Sequence, residues 1–325
     1  MIKLQKIANR QLLPRLTASI RPRHPLTSLK MPPNMHRDLT SSSSSSSDKV
    51  PEGSWDSHIH IIDPQKYPFP TNIPRVPHSG TMTGALTNAS RLNLPNMVFV
   101  QVSTYGNDNT WILDALKEVG PTRSRGVVSF DPETIDSQTL RQWHELGVRG
   151  VRLNLRSTGK VLEREEIQSV LRKYAEKLRP LQTWSIGLYA DMAMLDHVQP
   201  LVEELGVKIV LEHFGSPASL PLDPEREPGW DALRKMMEDP RVFAKISAPY
   251  IFSKDPDFKD LELLVKSLLS MRNGEGVVFA SDWPHTQSKG YDAKPFEEKC
   301  MEWCDGNEQL KNNLFRGNAR RLWDI

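Results

Sequence analysis

From residue 54 onward, short apolar segments alternate with longer stretches in which apolar residues recur every three or four positions. Eight short segments can be counted: "SWDSHIHI" (54–61), "NMVFVQV" (96–102), "RGVVSF" (125–130), "VRGVRLNL" (148–155), "WSIGLYA" (184–190), "KIVLEHF" (208–214), "VFAKISAP" (242–249) and "GVVFASD" (276–282). Their Val, Ile and Phe content predicts strands covered on both faces. The stretches 109–119, 134–146, 163–179, 192–205 and 260–271 carry helical period and predict helices between them. Strands of this kind joined by crossover helices form a parallel sheet, and eight repeats predict a closed (β/α)8 TIM barrel, of class α/β. An open doubly wound sheet is the competing arrangement. It is weakened because no G-x-G-x-x-G or G-x-x-x-x-G-K-[ST] loop follows a strand.

The polar exceptions in these strands sit at their C-terminal ends. His58 and His60 close the first strand, two residues apart and so on one face. His213 closes the sixth and Asp282 the eighth. Barrel active sites gather at that end. A buried imidazole or carboxylate costs a few kcal/mol unless it finds a partner, so the four are expected to converge over one cavity. The loop after the first strand, "DPQKYPFPTNIPRVPHSG", is dense in Pro and predicts a semi-rigid wall over the same face.

"DSHIHI", "LEHFG" and "ASDWPH" resemble the amidohydrolase superfamily, and specifically its branch typified by 2-pyrone-4,6-dicarboxylate lactonase. "VQVSTYGNDN", "RGVRLNL", "LYADM" and "GNARRLW" extend the resemblance over roughly residues 54–323. It implies a distorted barrel of amidohydrolase type. The wider superfamily holds one or two divalent metals with an H-x-H pair, a Lys or Glu ending the fourth strand, His ending the fifth and sixth, and Asp ending the eighth. Here the fourth strand offers Arg152 and Asn154 and the fifth Tyr189, so the bridging ligand of a two-metal site is missing. The lactonase branch works without metal, so the resemblance implies that no cofactor is required. One zinc or manganese ion on His58, His60, His213 and Asp282 is the alternative.

The implied reaction is hydrolysis of a carboxylated lactone of the kind met in aromatic catabolism. Asp282 is then the general base toward water, and the three histidines stabilise the oxyanion. Arg152 offers a planar fork to a substrate carboxylate. Ser103, Tyr189 and His285 match polar positions lining the family's pocket, and Asn154 and Arg156 lie beside them. The branch carries further arginines beyond the fourth and seventh strands, where this chain reads "RSTGK" and "SAPYIFS". Arg156 stands in for the first, but Tyr250 and Ile251 replace the second. A lactone with one carboxylate, or an aromatic-derived or sugar lactone, therefore fits at least as well as the dicarboxylate. Two other readings remain: a metal-dependent decarboxylase of an aromatic or enoic acid, and a non-catalytic barrel that binds a small acid, against which the intact Asp282 argues.

Charge adds a division of the chain. The formal net charge is +2, but residues 1–47 hold eight Lys or Arg and one acid, Asp38, leaving 34 basic and 39 acidic residues in the remainder. The barrel is thus acidic overall, which gives no reason to expect nucleic acid as a partner. Residues 1–50 are read as a basic extension with a Ser-rich linker, "SSSSSSSD", and 51–325 as the single barrel domain. The extension has transit-peptide composition and predicts a mitochondrial address, with the cytoplasm as the alternative if translation starts at Met31 or Met35. No run approaches the roughly 18 to 20 apolar residues of a membrane span. The expected partner is a small anionic lactone, bound by a monomer or homodimer. Cys300 and Cys304, the only cysteines, are read as a half-buried helix pair without metal.

Overall fold

The structure is a computed structural model, described here for residues 49–325 except 72, 74 and 75. The transit-peptide and linker expectations therefore lie outside the described residues. Eight parallel strands follow one another around the sheet in chain order. They are β1 (Trp55–Ile59), β2 (Asn96–Val100), β3 (Ser124–Val128), β4 (Val148–Asn154), β5 (Ser185–Tyr189), β6 (Lys208–Leu211), β7 (Val242–Ile246) and β8 (Val277–Phe279). The predicted (β/α)8 barrel is present, and each strand falls inside or within one residue of a predicted apolar segment.

Closure between β8 and β1 is made at the C-terminal end, where Ile59 bridges Trp283. The Asp282 amide donates to the His58 carbonyl (3.0 Å), and the His60 amide donates to the Trp283 carbonyl (2.8 Å). Asp56 reinforces this seam, its Oδ1 accepting from the amides of Ser281 (2.9 Å) and His58 (3.2 Å). The backbone that carries the candidate chemistry is therefore also the backbone that closes the barrel.

Helices α1 (Met82–Arg91), α2 (Thr110–Val119), α3 (Ser137–Leu146), α4 (Arg164–Leu178), α5 (Leu195–Val198), α6 (Val202–Leu205), α7 (Trp230–Glu238), α8 (Pro249–Phe252), α9 (Glu262–Ser270) and α10 (Lys294–Glu302) fill the connections. The single helix expected over 192–205 is broken into α5 and α6 by a tighter turn at Gln199–Leu201. Pro200 is the reason, since it lacks the amide hydrogen that a continuous helix needs. Among the described residues no helix is long and apolar enough to cross a membrane. Cys300 and Cys304 are free thiols and fully buried, a correction to the half-buried pair expected.

The lower barrel is closed by an apolar plug. Trp55, Val98, Val100, Val127, Val210, Phe243 and Val278 pack with Leu322 and Trp323 from the C-terminal helix. Arg125 donates to the Trp323 carbonyl (3.0 Å) and Lys208 to that of Leu322 (2.9 Å), so the chain end is tied across the strand starts. At the opposite rim the Pro-rich loop returns to β1 through paired hydrogen bonds between Ile62 and Gly80, both 2.8 Å. Gly80 is required there: a Cβ would lie 2.6 Å from Pro284 and 2.7 Å from Trp283. The predicted wall is thus seated on the segment that follows Asp282.

Candidate active site at the closing seam

His58 is the fourth residue of β1, and His60 follows the strand's last residue, so both rings point into the barrel mouth. Their Nε2 atoms are 3.2 Å apart. Asp282 Oδ1 lies 3.4 Å from His58 Nε2 and 3.7 Å from His60 Nε2. His213 opens the tight turn after β6, its ring 4.9 Å from that of His58. The ligand atoms of His58, His213 and Asp282 all fall within 4.8 Å of one another. The four residues expected to converge do so, and all are buried.

The backbone is distorted to achieve this. His213 (φ 48°), Ala248 (φ 54°), Asp282 (φ 60°) and His285 (φ 62°) occupy the left-handed region, which non-glycine residues rarely adopt. Such strain persists only where surrounding structure over-determines it, and it clusters at functional sites. The predicted strands ran on to residues 214, 249 and 282. They end earlier because the chain turns sharply there to aim these side chains inward.

Each imidazole is held from behind. His60 Nδ1 meets the Val100 carbonyl at 2.5 Å, His58 Nδ1 meets Glu212 Oε2 at 2.8 Å, and His213 Nδ1 meets Ser247 Oγ at 2.7 Å. A carbonyl can only accept, so His60 carries its proton on Nδ1 and presents a lone pair from Nε2. The same reasoning holds for His58. Burial pushes the Glu212 carboxyl up, but Lys245, 3.1 Å from Oε1, and Arg152 outweigh that and hold it below its usual range. Glu212 is thus an acceptor too. Burial first, and then neighbouring cations, keep His58 well below the usual imidazole range and His60 down to about 3, so neither ring carries a second proton.

Two imidazole lone pairs and a carboxylate oxygen therefore face one another at 3.2, 3.4 and 3.7 Å with nothing between them to share. Burial raises the Asp282 carboxyl to about 7, with Glu212 and Asp56 adding to the rise. Only a proton on Asp282 or a cation between the groups relieves this repulsion. Zinc bound at about 2.0–2.1 Å in tetrahedral geometry sets its ligand atoms about 3.3–3.4 Å apart, close to the separations among His58, His60 and Asp282, with His213 inside the wider 4.8 Å group. Histidines whose outer nitrogens are engaged by carboxylate, carbonyl or hydroxyl are also the usual orientation for metal ligation. The donor set fits one divalent cation, and the metal-free expectation finds no support in it.

The residues expected around the substrate divide into two groups. Arg152 is buried at the end of β4, its Nη1 donating to the Gln101 carbonyl (2.8 Å) while Nε has no partner. Its guanidinium lies over the Tyr189 ring (5.5 Å), and that ring meets His213 edge-on (4.8 Å). His285 is buried with Nε2 unpartnered, and burial lowers its pKa to about 4. By contrast, Ser103 is exposed on a turn after β2. Asn154 Oδ1 caps a turn through the Ser157 amide (3.1 Å). Arg156, the stand-in for the first of the branch's further arginines, is engaged by Asp191 (2.9 Å) and the Ser216 carbonyl (3.2 Å).

Glu212, Ser247, Lys245 and Tyr250 were not identified as site residues from the sequence. Signals existed for two: Glu212 sits inside "LEHFG", and Lys245 interrupts an otherwise apolar strand. Tyr250, on α8, donates its hydroxyl to Asp282 Oδ2 at 2.5 Å and covers the carboxylate. A second departure from expectation concerns the cavity. A cavity of about 490 Å³ lies beside the histidines, lined by His78, Arg91, Trp283, His285, Lys289 and Tyr291. The Tyr250 ring packs 5.7 Å from that of His285, which lines this cavity.

Comparison with known proteins agrees with this fold. The model of the Amidohydrolase family matches residues 55–325, beginning at the first residue of β1. Among curated proteins, the chain is 24% identical over 290 residues to a 2-pyrone-4,6-dicarboxylate hydrolase of Comamonas testosteroni, covering 85% of this chain and 91% of that protein. It is 24% identical over 242 residues to a 4-sulfomuconolactone hydrolase of Rhizobium radiobacter, covering 73% and 77%. A zinc-bound amidohydrolase from Burkholderia multivorans shares the fold at 18% identity, with a TM-score of 0.67 over 84% of this chain and 99% of that one. With the barrel, the seam and its H-x-H pair in place, the chain belongs to the Amidohydrolase family.

Proposed function

We propose that this chain is a hydrolase that opens a carboxylated lactone, with one divalent metal, zinc or manganese, held by His58, His60, His213 and Asp282. The observation that carries the reading is the convergence of two inward imidazole lone pairs and a carboxylate oxygen at 3.2–3.7 Å, each ring fixed from behind. Bound there, the metal would supply Lewis-acid polarisation of the ester carbonyl. Lactone hydrolysis is the activity named for both curated relatives, and supports the same chemistry here.

Asp282 is the general base. Its Oδ2, the oxygen that accepts from Tyr250, takes a proton from water as the water oxygen bonds to the carbonyl carbon. When the ring C–O bond breaks, that proton passes to the departing ring oxygen, giving a hydroxy acid. His58 and His60, in the tautomer derived above, cannot donate inward, so they serve as ligands rather than oxyanion donors. Arg152 Nε, buried and unpartnered, binds the substrate carboxylate. With Arg156 committed elsewhere and Tyr250 beside Asp282, one carboxylate matches the free cations better than two.

The test is a panel of mono- and dicarboxylated lactones assayed by acid release on purified protein, with elemental analysis and with and without chelator. The expected result is near-stoichiometric zinc or manganese, hydrolysis abolished by chelation and restored by the metal. Full-rate hydrolysis under chelation would overturn the metal reading. Carbon dioxide release from an aromatic or enoic acid, with every lactone inert, would replace lactone opening by decarboxylation.

A further inference from the structure

Barrel interiors are ordinarily filled by branched apolar residues, and the layer below the site follows that rule. One position up, the interior holds an ion pair, Lys245 with Glu212, both buried. A buried pair is weak as a stabilising device, because desolvation offsets most of the attraction and well-packed apolar residues often do as well or better. Its presence calls for another explanation. Glu212 reaches His58 Nδ1 at 2.8 Å with one oxygen and Lys245 Nζ at 3.1 Å with the other. Lys245 in turn lies over the ring of Trp323 (5.5 Å), whose Nε1 donates to Ser57 Oγ (3.2 Å). The neighbouring strand β5 makes room, since a Cβ on Gly187 would stand 2.9 Å from Glu212 Oε1.

We propose that Lys245 and Glu212 are positioning residues for His58, fixing it in the Nδ1–H tautomer so that Nε2 presents a lone pair to the metal site. Lys245 Nζ is itself 3.1 Å from His58 Nδ1. Were the ammonium donating to that nitrogen, Glu212 Oε2 would face an imidazole lone pair at 2.8 Å, and Nε2 would turn a proton toward Asp282. The ammonium instead holds the carboxylate in place and keeps it an acceptor. The proposal rests on the metal-site reading for its consequence, but the tautomer exists without any metal.

The test therefore has two readouts. In metal-stripped protein, nitrogen-15 NMR of the imidazoles, with His58 assigned by loss of its signals in His58→Asn, should show Nδ1 protonated and Nε2 free. The double variant Lys245→Met with Glu212→Leu removes both charges, should melt close to the wild-type temperature, and should lose that tautomer preference. Its zinc affinity, measured by competition with a chromophoric chelator, should fall about 10- to 100-fold. Lys245→Met with Glu212→Gln keeps an acceptor at Nδ1 and should recover part of both. Gly187→Ala changes no charge yet displaces the carboxylate, and carries the same test should the double variants not fold. Wild-type His58 protonated on Nε2, or wild-type tautomer and affinity in the double variant and in Gly187→Ala, would overturn the proposal. A wild-type protein with the expected tautomer but no zinc uptake would refute the metal reading and leave this one standing.

Discussion

The two mouths of the barrel are built to opposite rules. At the strand starts, apolar side chains meet Trp323 and Leu322, and Arg125 and Lys208 donate to the carbonyls of the chain end. At the strand ends, buried carboxyls, imidazoles and cations crowd together. Four residues there take left-handed backbone, and polar atoms of Arg152, Asn154 and His285 are buried without partners. A mouth packed with apolar side chains and tied to the chain end holds the fold together. One with strain and unsatisfied groups is less stable than it needs to be, and that deficit is what a metal and a substrate would relieve.

The contrast is broken most sharply at Asp282. Asp282→Asn keeps the shape but removes the proposed base, and lactone hydrolysis should fall by about 10²–10⁴-fold, measured as acid release. Hydrolysis at the wild-type rate would remove the seam from the chemistry. At the other mouth, Trp55→Ala empties part of the plug and should lower stability by about 3–5 kcal/mol in urea unfolding, with turnover per folded molecule unchanged.

Stability against pH sharpens the comparison further. The Asp282 carboxyl titrates at about 7 when folded against 3.8 in a free chain, so between these values the folded state keeps a proton that the unfolded state has released. The penalty therefore grows as pH rises from about 4 to 7 and is constant above. In metal-stripped protein, Asp282→Asn should thus gain on wild type across that window, by a few kcal/mol at most at pH 8. Buried neutral histidines make both proteins weaken as pH falls below about 6.5, and this cancels in the difference. No gain above pH 7 would mean that the Asp282 carboxyl is not raised in the folded state. The smallest effect is expected at Thr81, whose hydroxyl caps α1 by accepting from the Gly84 amide (3.3 Å). Thr81→Ala should cost about 1 kcal/mol and leave catalysis alone.

Much of this is legible in the sequence. Apolar runs of strand length separated by helical period fix the barrel, because residues buried on two faces have no other pattern available to them. Pro200 escaped as a helix break because the apolar spacing runs straight through it. Arg156 looked like a free cation because its partner, Asp191, lies on the next strand's loop and not beside it in sequence. The cavity was expected over the histidines because nothing in "SAPYIFS" reveals that the Tyr250 hydroxyl folds down onto Asp282.

The sequence by itself determined the eight strands and the placing of His58, His60, His213 and Asp282 at their ends, since period and position are local properties of the chain. Tertiary structure alone decided how those groups are protonated and what they can bind. The partner that sets the His58 tautomer is 154 residues away, and the lysine behind it 187. Hydrogen bonding and burial act through distances in space that spacing along the chain does not encode.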